Sequence, residues 1–311
     1  MDKYLVTGGA GFIGSNIAQE LVKRGYAVRI IDNFLTGKRE NIASFLDKID
    51  LVEGDIRDYD ACKRALEGVD FVLHQAALPS VPRSIEDPLL TTEINIKGTL
   101  NILLASREVK VKGFVFASSS SVYGDDPNLP KKESNIGNPL SPYAISKLAG
   151  EKYCRVFSQI FGLSTVCLRY FNIFGPRQDP SSQYAAVIPS FITKMLKGES
   201  PTIFGDGEQS RDFTYVSNVV EANILASKAR GLSGEVFNIA CGERTTVNSL
   251  ASNLNEILKE EISPSYAEPR PGDVRHSYAD ISMARKMLKY EPLVSFGKGL
   301  EKTIRWYRER E

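Results

Sequence analysis

Two stretches of the chain carry residue types that can act together on one substrate. Tyr143 and Lys147 stand four apart in the run S-P-Y-A-I-S-K, with four serines, Ser118–Ser121, upstream. Four residues is about one helical turn, so the phenol and the ammonium share a face. An ammonium beside a phenol stabilises the phenolate. Bringing a tyrosine from about 10 toward 7 takes roughly 4 kcal/mol of such stabilisation, which a desolvated cleft can supply. Tyr143 reads as a general base and Lys147 as the cation that tunes it. A serine at the end of the preceding strand can share the same substrate oxygen.

The second stretch is TGGAGFIG, Thr7–Gly14. Gly8, Gly11 and Gly14 are spaced three apart across an expected strand-to-helix turn. A tight turn and a close backbone approach to pyrophosphate both need a residue without Cβ, and the third glycine lets helix pack on strand. The helix start, with Phe12 and Ile13, offers free N–H groups and a positive dipole end to phosphate. Asp32, ending the second strand, can accept both adenosine ribose hydroxyls and repels a 2′-phosphate, so NAD is expected over NADP. Asn33, Thr36 and Gly37 follow it in the candidate cofactor set. Asp55, with Ile56, is placed to meet the adenine. Gln75, Ala76 and Ala77 leave a flat floor beyond the fourth strand, and Tyr170 is a further member of the candidate cofactor set. A bound dinucleotide and an ionisable phenol together predict hydride chemistry. His74 reads as a satisfied core histidine, and Arg29, Lys38 and Arg39 as solvated surface.

These groups need a scaffold that gathers strand ends. Strands are expected at Lys3–Thr7, Ala27–Ile31, Leu51–Glu53, Asp70–Leu73, Gly113–Ala117 and Leu163–Leu168. Helices are expected at Phe12–Arg24, closed by Gly25, and at Ala61–Leu66, Glu93–Arg107 and Pro142–Phe161. This alternation predicts an α/β Rossmann fold, a doubly wound parallel sheet with helices on both faces. Beyond Arg169 the pattern loosens into shorter helices at Val187–Lys197, Asn218–Lys228 and Val247–Leu258, with a strand at Val236–Ile239. The expected division is an NAD-binding domain over residues 1–170, which later segments can rejoin, and a smaller C-terminal α/β substrate-binding domain over 171–311.

Composition excludes several other classes. The 311 residues hold 39 basic and 38 acidic side chains, net charge +1, so no long-range field favours nucleic acid or an anionic membrane. The four cysteines form no C-x-x-C pair, and with two histidines no metal site is expected. The start MDKYLVTGG has no signal-peptide pattern and no apolar run is long enough to span a bilayer, so a cytoplasmic location is expected.

With these motifs, and with SSSSVYG, RYFNIFGPRQ and GDGEQSRDFTYV, nearly the whole chain resembles the extended short-chain dehydrogenase/reductases of the NAD-dependent epimerase/dehydratase family. Within them it looks like a UDP-sugar 4-epimerase. The resemblance implies a tightly held NAD and a homodimer built on paired long helices. It implies that Tyr143 deprotonates the sugar 4-hydroxyl while hydride leaves carbon 4 for NAD. The flat 4-keto sugar then swings and receives the hydride on its other face. It implies Ser119 as the catalytic hydroxyl, with Ser118, Ser120 and Ser121 open as one-residue alternatives.

The same resemblance implies the sugar-nucleotide contacts. Asn172 would meet the diphosphate or sugar, Arg211 and Arg270 the phosphates, Asp273 the uridine ribose and Phe204 the base. Ser80 and Val187 belong to the candidate substrate set, as do Ser119 and Tyr143. Ala186 and Ser277 stand where the glucose/galactose pattern has an asparagine and a bulky tyrosine. Small residues there leave room for a 2-acetamido group, so UDP-GlcNAc/UDP-GalNAc is the expected pair, with UDP-Glc/UDP-Gal also open. A nucleotide-sugar 4,6-dehydratase or a UDP-glucuronate decarboxylase stays open as the alternative. The dehydratase acid pair would fall on Ser120 and Ser121, which carry no acid. A third reading, an NAD-sensing regulator on this fold, conflicts with the intact Tyr143 and Lys147.

Overall fold

The computed structural model describes residues 1–180, 186–269 and 274–310. Seven strands form one sheet: β1 (Lys3–Thr7), β2 (Ala27–Asp32), β3 (Asp50–Glu53), β4 (Phe71–His74), β5 (Gly113–Ser119), β6 (Thr165–Tyr170) and β7 (Glu235–Ile239). Their order is β7-β6-β5-β4-β1-β2-β3, and every neighbouring pair is parallel. The order reverses between β1 and β4. In such sheets the crevice at the C-terminal strand ends, at this reversal, is where ligands bind.

Strand periodicity explains why both faces are covered. Tyr4 and Val6 of β1 point into one apolar cluster and Leu5 into the other. The first cluster is closed by α1 (Phe12–Lys23) through Ile17 and Leu21, and by Val219 and Val220 from a later helix. The second is closed by α2 (Tyr59–Leu66), α3 (Thr99–Glu108) and α4 (Pro142–Phe161) through Leu66, Ile102 and Phe157. Helix starts follow local chemistry. Asp58 caps α2 by accepting from Asp60 N, and Ser141 caps α4 by accepting from Ala144 N, with Pro142 in the first turn. Gly25, at φ +79°, follows α1 as the expected left-handed residue. β3 is the exposed edge and carries Asp50 and Glu53, charges that discourage edge pairing.

Beyond residue 170 the chain contributes to two places. Helices α5 (Val187–Leu196), α7 (Val247–Leu258) and α9 (Phe296–Arg308) share a separate core of Phe191, Leu250, Leu254, Leu300 and Ile304. Helix α6 (Val216–Lys228) packs on α1, and β7 pairs with β6, so both return to the large sheet. A short helix α8 (Ser282–Leu288) lies against β7. No described helix is long and apolar enough to cross a membrane.

Several elements differ from the sequence reading, among them α8, which it did not expect. The helix expected over Glu93–Arg107 is broken. Short helices at Val81–Glu86 and Pro88–Thr92 lead into a π-helical turn, Glu93–Gly98, before α3. The widened turn aims the Asn95 side chain inward, where it accepts from Leu78 N (2.7 Å) and donates to Ser146 Oγ (3.0 Å). The strand expected at Leu163–Leu168 runs two residues later. Gly162, at φ +68°, ends α4, and Leu163 still closes it by donating to the Phe157 carbonyl. Helix α9 is absent from the sequence reading although Phe296, Leu300, Ile304 and Tyr307 carry helical spacing.

Candidate active site

The glycine loop joins β1 to α1 under tight steric limits. Gly8 has φ +65°, and a Cβ there would lie 2.8 Å from the Ala76 backbone. A Cβ on Gly14 would lie 2.2 Å from the Gly8 carbonyl oxygen, so the third glycine is what lets α1 sit on the loop. Gly11 caps the helix without a side chain, leaving the first-turn N–H groups of Phe12, Ile13 and Gly14 without intrahelical acceptors. A cradle this close to backbone, at a helix N-terminus, fits a diphosphate.

Asp32 ends β2 and is buried. Oδ2 accepts from Ala10 N (2.9 Å) and Oδ1 from Phe34 N (2.8 Å). Burial raises its pKa against those two hydrogen bonds. A Cβ at Gly37 would lie 2.8 Å from Oδ1 and 2.9 Å from Oδ2, so Gly37 keeps the carboxylate open on that side. Asp55 is held differently. Arg57 grips it through Nε (3.0 Å), Nη2 (2.8 Å) and its own N–H, and Asn33 Nδ2 donates at 2.8 Å. The Arg57 contacts lead in holding this carboxyl down at about 2. The sequence reading missed Arg57, though its place two residues after Asp55 in G-D-I-R-D was a usable signal.

Tyr143 and Lys147 lie in the first two turns of α4. The Lys147 ammonium is buried and donates to the Ala117 carbonyl at 2.8 Å. It stands 5.8 Å from the centre of the Tyr143 ring, and burial lowers it to about 8. Burial pushes the Tyr143 phenol up from its ordinary value, and the neighbouring Ser119 hydroxyl pulls it the other way. The expected depression by Lys147 is therefore not present in the protein alone. The lysine points to Ala117 and overlies the ring face, so desolvation of the phenol dominates.

The serine run separates by partner. Ser118 Oγ donates to Glu151 Oε1 at 2.5 Å, and Glu151 is clamped by Arg169 through Nε and Nη2, both at 2.8 Å. Ser119 meets the phenol, and its Oγ accepts from Ser121 N. Ser121 Oγ is buried without a partner.

His74 sits at the end of β4 beneath Lys147, and burial lowers it to about 3. Thr99 donates to the Asn95 carbonyl (2.6 Å) and so accepts from Nε2–H (3.0 Å). Nδ1 then accepts from Thr7 Oγ1 (2.7 Å), which accepts from Ala76 N (3.1 Å). This neutral, fully bonded imidazole ties the cofactor floor to the π-turn.

All candidate cofactor residues line one cavity of about 680 Å³: Gly8, Gly11 and Gly14 with Phe12 and Ile13, Asp32, Asn33, Thr36, Gly37, Asp55, Ile56, Gln75 to Ala77, Tyr143, Lys147 and Tyr170. Tyr170 is fixed there by Gln75 and Asn223. Ser80 lines the same cavity; Ser119 does not, and Ser118 does. The remaining described substrate candidates are not among its lining residues. Asn172 has φ +40°, and its carbonyl accepts from Thr214 N. Ala186 caps α5 and Val187 begins it. Phe204 pairs with Ala267. Arg211 is brought directly beside Ser277, for the strand Ser210–Arg211 pairs in parallel with His276–Ser277. Arg270 and Asp273 lie outside the described residues. The reading also missed Arg177 and Asp179, which line the cavity from the loop after Pro176. Among the described residues no cluster of His, Cys, Asp and Glu is arranged for a metal ion.

Compared with known proteins, residues 4–240 match the NAD dependent epimerase/dehydratase family. The chain is similar to the UDP-N-acetylglucosamine 4-epimerase of Methanobrevibacter ruminantium, solved in complex with UDP-N-acetylmuramic acid. Identity is 42%, over 100% of this chain and 99% of that one, with a TM-score of 0.95. The UDP-glucose 4-epimerase of Thermotoga maritima, solved with UDP-glucose, is 41% identical over 99% of each chain, TM-score 0.94. The UDP-glucuronic acid 4-epimerase of Bacillus cereus, solved with UDP-glucuronic acid and NAD, is 35% identical over 99% of this chain and 100% of that one, TM-score 0.91.

Proposed function

The chain belongs to the NAD-dependent epimerase/dehydratase family, its activity is NAD-dependent 4-epimerisation of a UDP-sugar, and we propose that the preferred sugar is an N-acetylhexosamine. The reaction is then UDP-GlcNAc/UDP-GalNAc interconversion, with UDP-Glc/UDP-Gal as a further pair. One observation carries the catalytic part: the Tyr143 phenol, the Ser119 hydroxyl and the Lys147 ammonium converge at the C-terminal ends of β4 and β5, beside the glycine loop. Small residues at Ala186 and Ser277, and the likeness to a UDP-N-acetylglucosamine 4-epimerase, support the sugar.

The residues fit NAD: a glycine cradle at a helix N-terminus for the diphosphate, and Asp32 for the adenosine ribose. When bound, its nicotinamide takes up a hydride and gives it back. Tyr143 removes the proton of the sugar 4-hydroxyl, and Ser119 donates a hydrogen bond to the same oxygen. Lys147 spends one N–H on the Ala117 carbonyl, which leaves two for the nicotinamide ribose and holds positive charge near the phenolate. The 4-keto sugar turns about its diphosphate link, held by Arg211 and Arg270. Tyr143 returns its proton as hydride arrives on the opposite face, and carbon 4 is inverted.

Epimerisation is favoured over water elimination by the acids at hand among the described residues. The carboxylates lining the cavity are Asp32, Asp55 and Asp179, all outside the Tyr143–Ser119 end, and Ser120 and Ser121 follow the catalytic serine. Incubation with UDP-GlcNAc, UDP-Glc and UDP-glucuronate separately, followed by chromatography and mass measurement, tests the proposal. Epimerisation conserves mass; loss of water or carbon dioxide would refute it. Residues 171–311, apart from α6 and β7, which return to the large sheet, form the domain that covers the sugar nucleotide. A homodimer is part of it too. Ile145, Val156 and Ile160 form an exposed apolar stripe on α4, continued by Ile85 and Leu89.

A further inference from the structure

Arg177 is part of the RYFNIFGPRQ run, yet neither the catalytic reading nor the sugar pocket uses it. Its guanidinium is drawn in beneath the glycine loop. Nη2 donates to Gln19 Oε1 on α1 at 3.0 Å, and Cζ stands 5.6 Å from the centre of the Phe45 ring. Nη1 is buried and, among the described residues, has no acceptor. Among the described residues no carboxylate pairs with it, and the charge it feels is that of Arg310, also positive. Burial first, then that repulsion, bring the guanidinium down to about 10, so it stays charged at neutral pH.

The loop is held in this position from both sides. Asn16 Nδ2 donates to the Pro176 carbonyl (3.1 Å), and Tyr307 Oη to the Gln178 carbonyl (2.5 Å). Arg177 itself has φ +71°, a conformation that a residue with a Cβ keeps only where its surroundings fix it. The other charges on this half of the cavity are already answered. Lys38 meets Asp179 at 3.1 Å, Arg57 meets Asp55, and Asp32 takes two backbone N–H groups. A half-buried cation with a buried spare donor and, among the described residues, no counterion is costly unless a ligand supplies the anion.

We infer that Arg177 is a cofactor-binding residue, whose guanidinium turns its spare donor to the diphosphate of the dinucleotide, in the cavity that it lines together with the glycine loop. The inference rests on the reading that NAD occupies this cavity. It gives the diphosphate a charged partner in addition to the backbone N–H groups of Phe12 and Ile13.

The test is calorimetric titration of the full chain, cleared of bound nucleotide, with NAD, ADP and adenosine. Arg177→Gln is expected to bind NAD and ADP about 10- to 100-fold more weakly, the loss of a hydrogen bond to a charged group. Adenosine, which has no phosphate, should bind within about twofold of wild type and so reports that the site is still folded. Arg177→Lys, which keeps charge but not the fork, should fall between. Unchanged NAD and ADP affinities in Arg177→Gln would overturn the inference, as would equal losses for all three ligands. Wild-type protein that binds none of the three would overturn the dinucleotide reading itself.

Discussion

Gly14→Ala isolates the steric demand of the cofactor loop. The new methyl would start 2.2 Å from the Gly8 carbonyl oxygen and 2.9 Å from the Gly9 Cα, all backbone that cannot rotate away. Reaching an ordinary contact of about 3.5 Å requires α1 and the loop to part by roughly 1 Å. Overpacking of this kind costs about 1–3 kcal/mol, or a melting temperature lower by roughly 2–5 °C in a chain this long. The same displacement moves the N–H groups of Phe12 and Ile13 away from the diphosphate, and a 1 Å misplacement is worth about 100-fold. Gly297→Ala is the matched control. A Cβ there meets nothing within 4 Å, and the residue lies in the first turn of α9, so the change should be neutral or slightly stabilising. Thermal melts and NAD titration of both variants check this. A Gly14→Ala protein that melts with wild type and binds NAD within threefold would refute the steric account of the loop.

Glu151→Ala strands Arg169 in the core beneath the catalytic serines, where the pair is almost fully buried; the expected loss is about 3–5 kcal/mol in urea unfolding. Glu151→Leu with Arg169→Met should recover much of it, and a double variant as weak as the single one would contradict this. Asp212 is fully buried, and its carboxylate accepts from Cys241, Gly242 and Ala279 N–H; burial outweighs these and raises it to about 6. The folded protein then holds that proton more tightly than the unfolded chain. Relative to Asp212→Asn, wild type should lose stability as pH rises from about 4 to 6, by up to roughly 3 kcal/mol. A stability difference that stays flat across that window would exclude it. Ser277→Tyr, beside Arg211, should depress turnover of UDP-GlcNAc relative to UDP-Glc; unchanged relative rates would remove Ser277 as a selectivity element.

The cofactor half of the site was legible because its demands are local. Glycine spacing, a carboxylate ending β2 and small residues after β4 each sit within a few residues of a strand end, and the parallel sheet brings those ends together. The Tyr143–Lys147 pair was legible because one helix turn fixes it. What stayed hidden depends on distant partners. That Ser118 belongs to Glu151 and Arg169 follows from β5, α4 and β6 packing together. The π-turn at Glu93–Gly98 follows from Asn95 reaching Leu78 and Ser146. Nothing near Lys147 in sequence says that its ammonium points at Ala117. Arg177 and Asp179 reach the cavity through a loop whose course no periodicity encodes.

The phenol of Tyr143 is the group on which the reaction depends, and Tyr143→Phe removes its oxygen while leaving ring, helix and cavity in place. Turnover of UDP-GlcNAc by this variant, with NAD affinity measured alongside, is the direct test. The expected result is a fall in kcat of at least about 100-fold with NAD binding retained. Full turnover in Tyr143→Phe would contradict the assignment of the general base and, with it, the proposed mechanism.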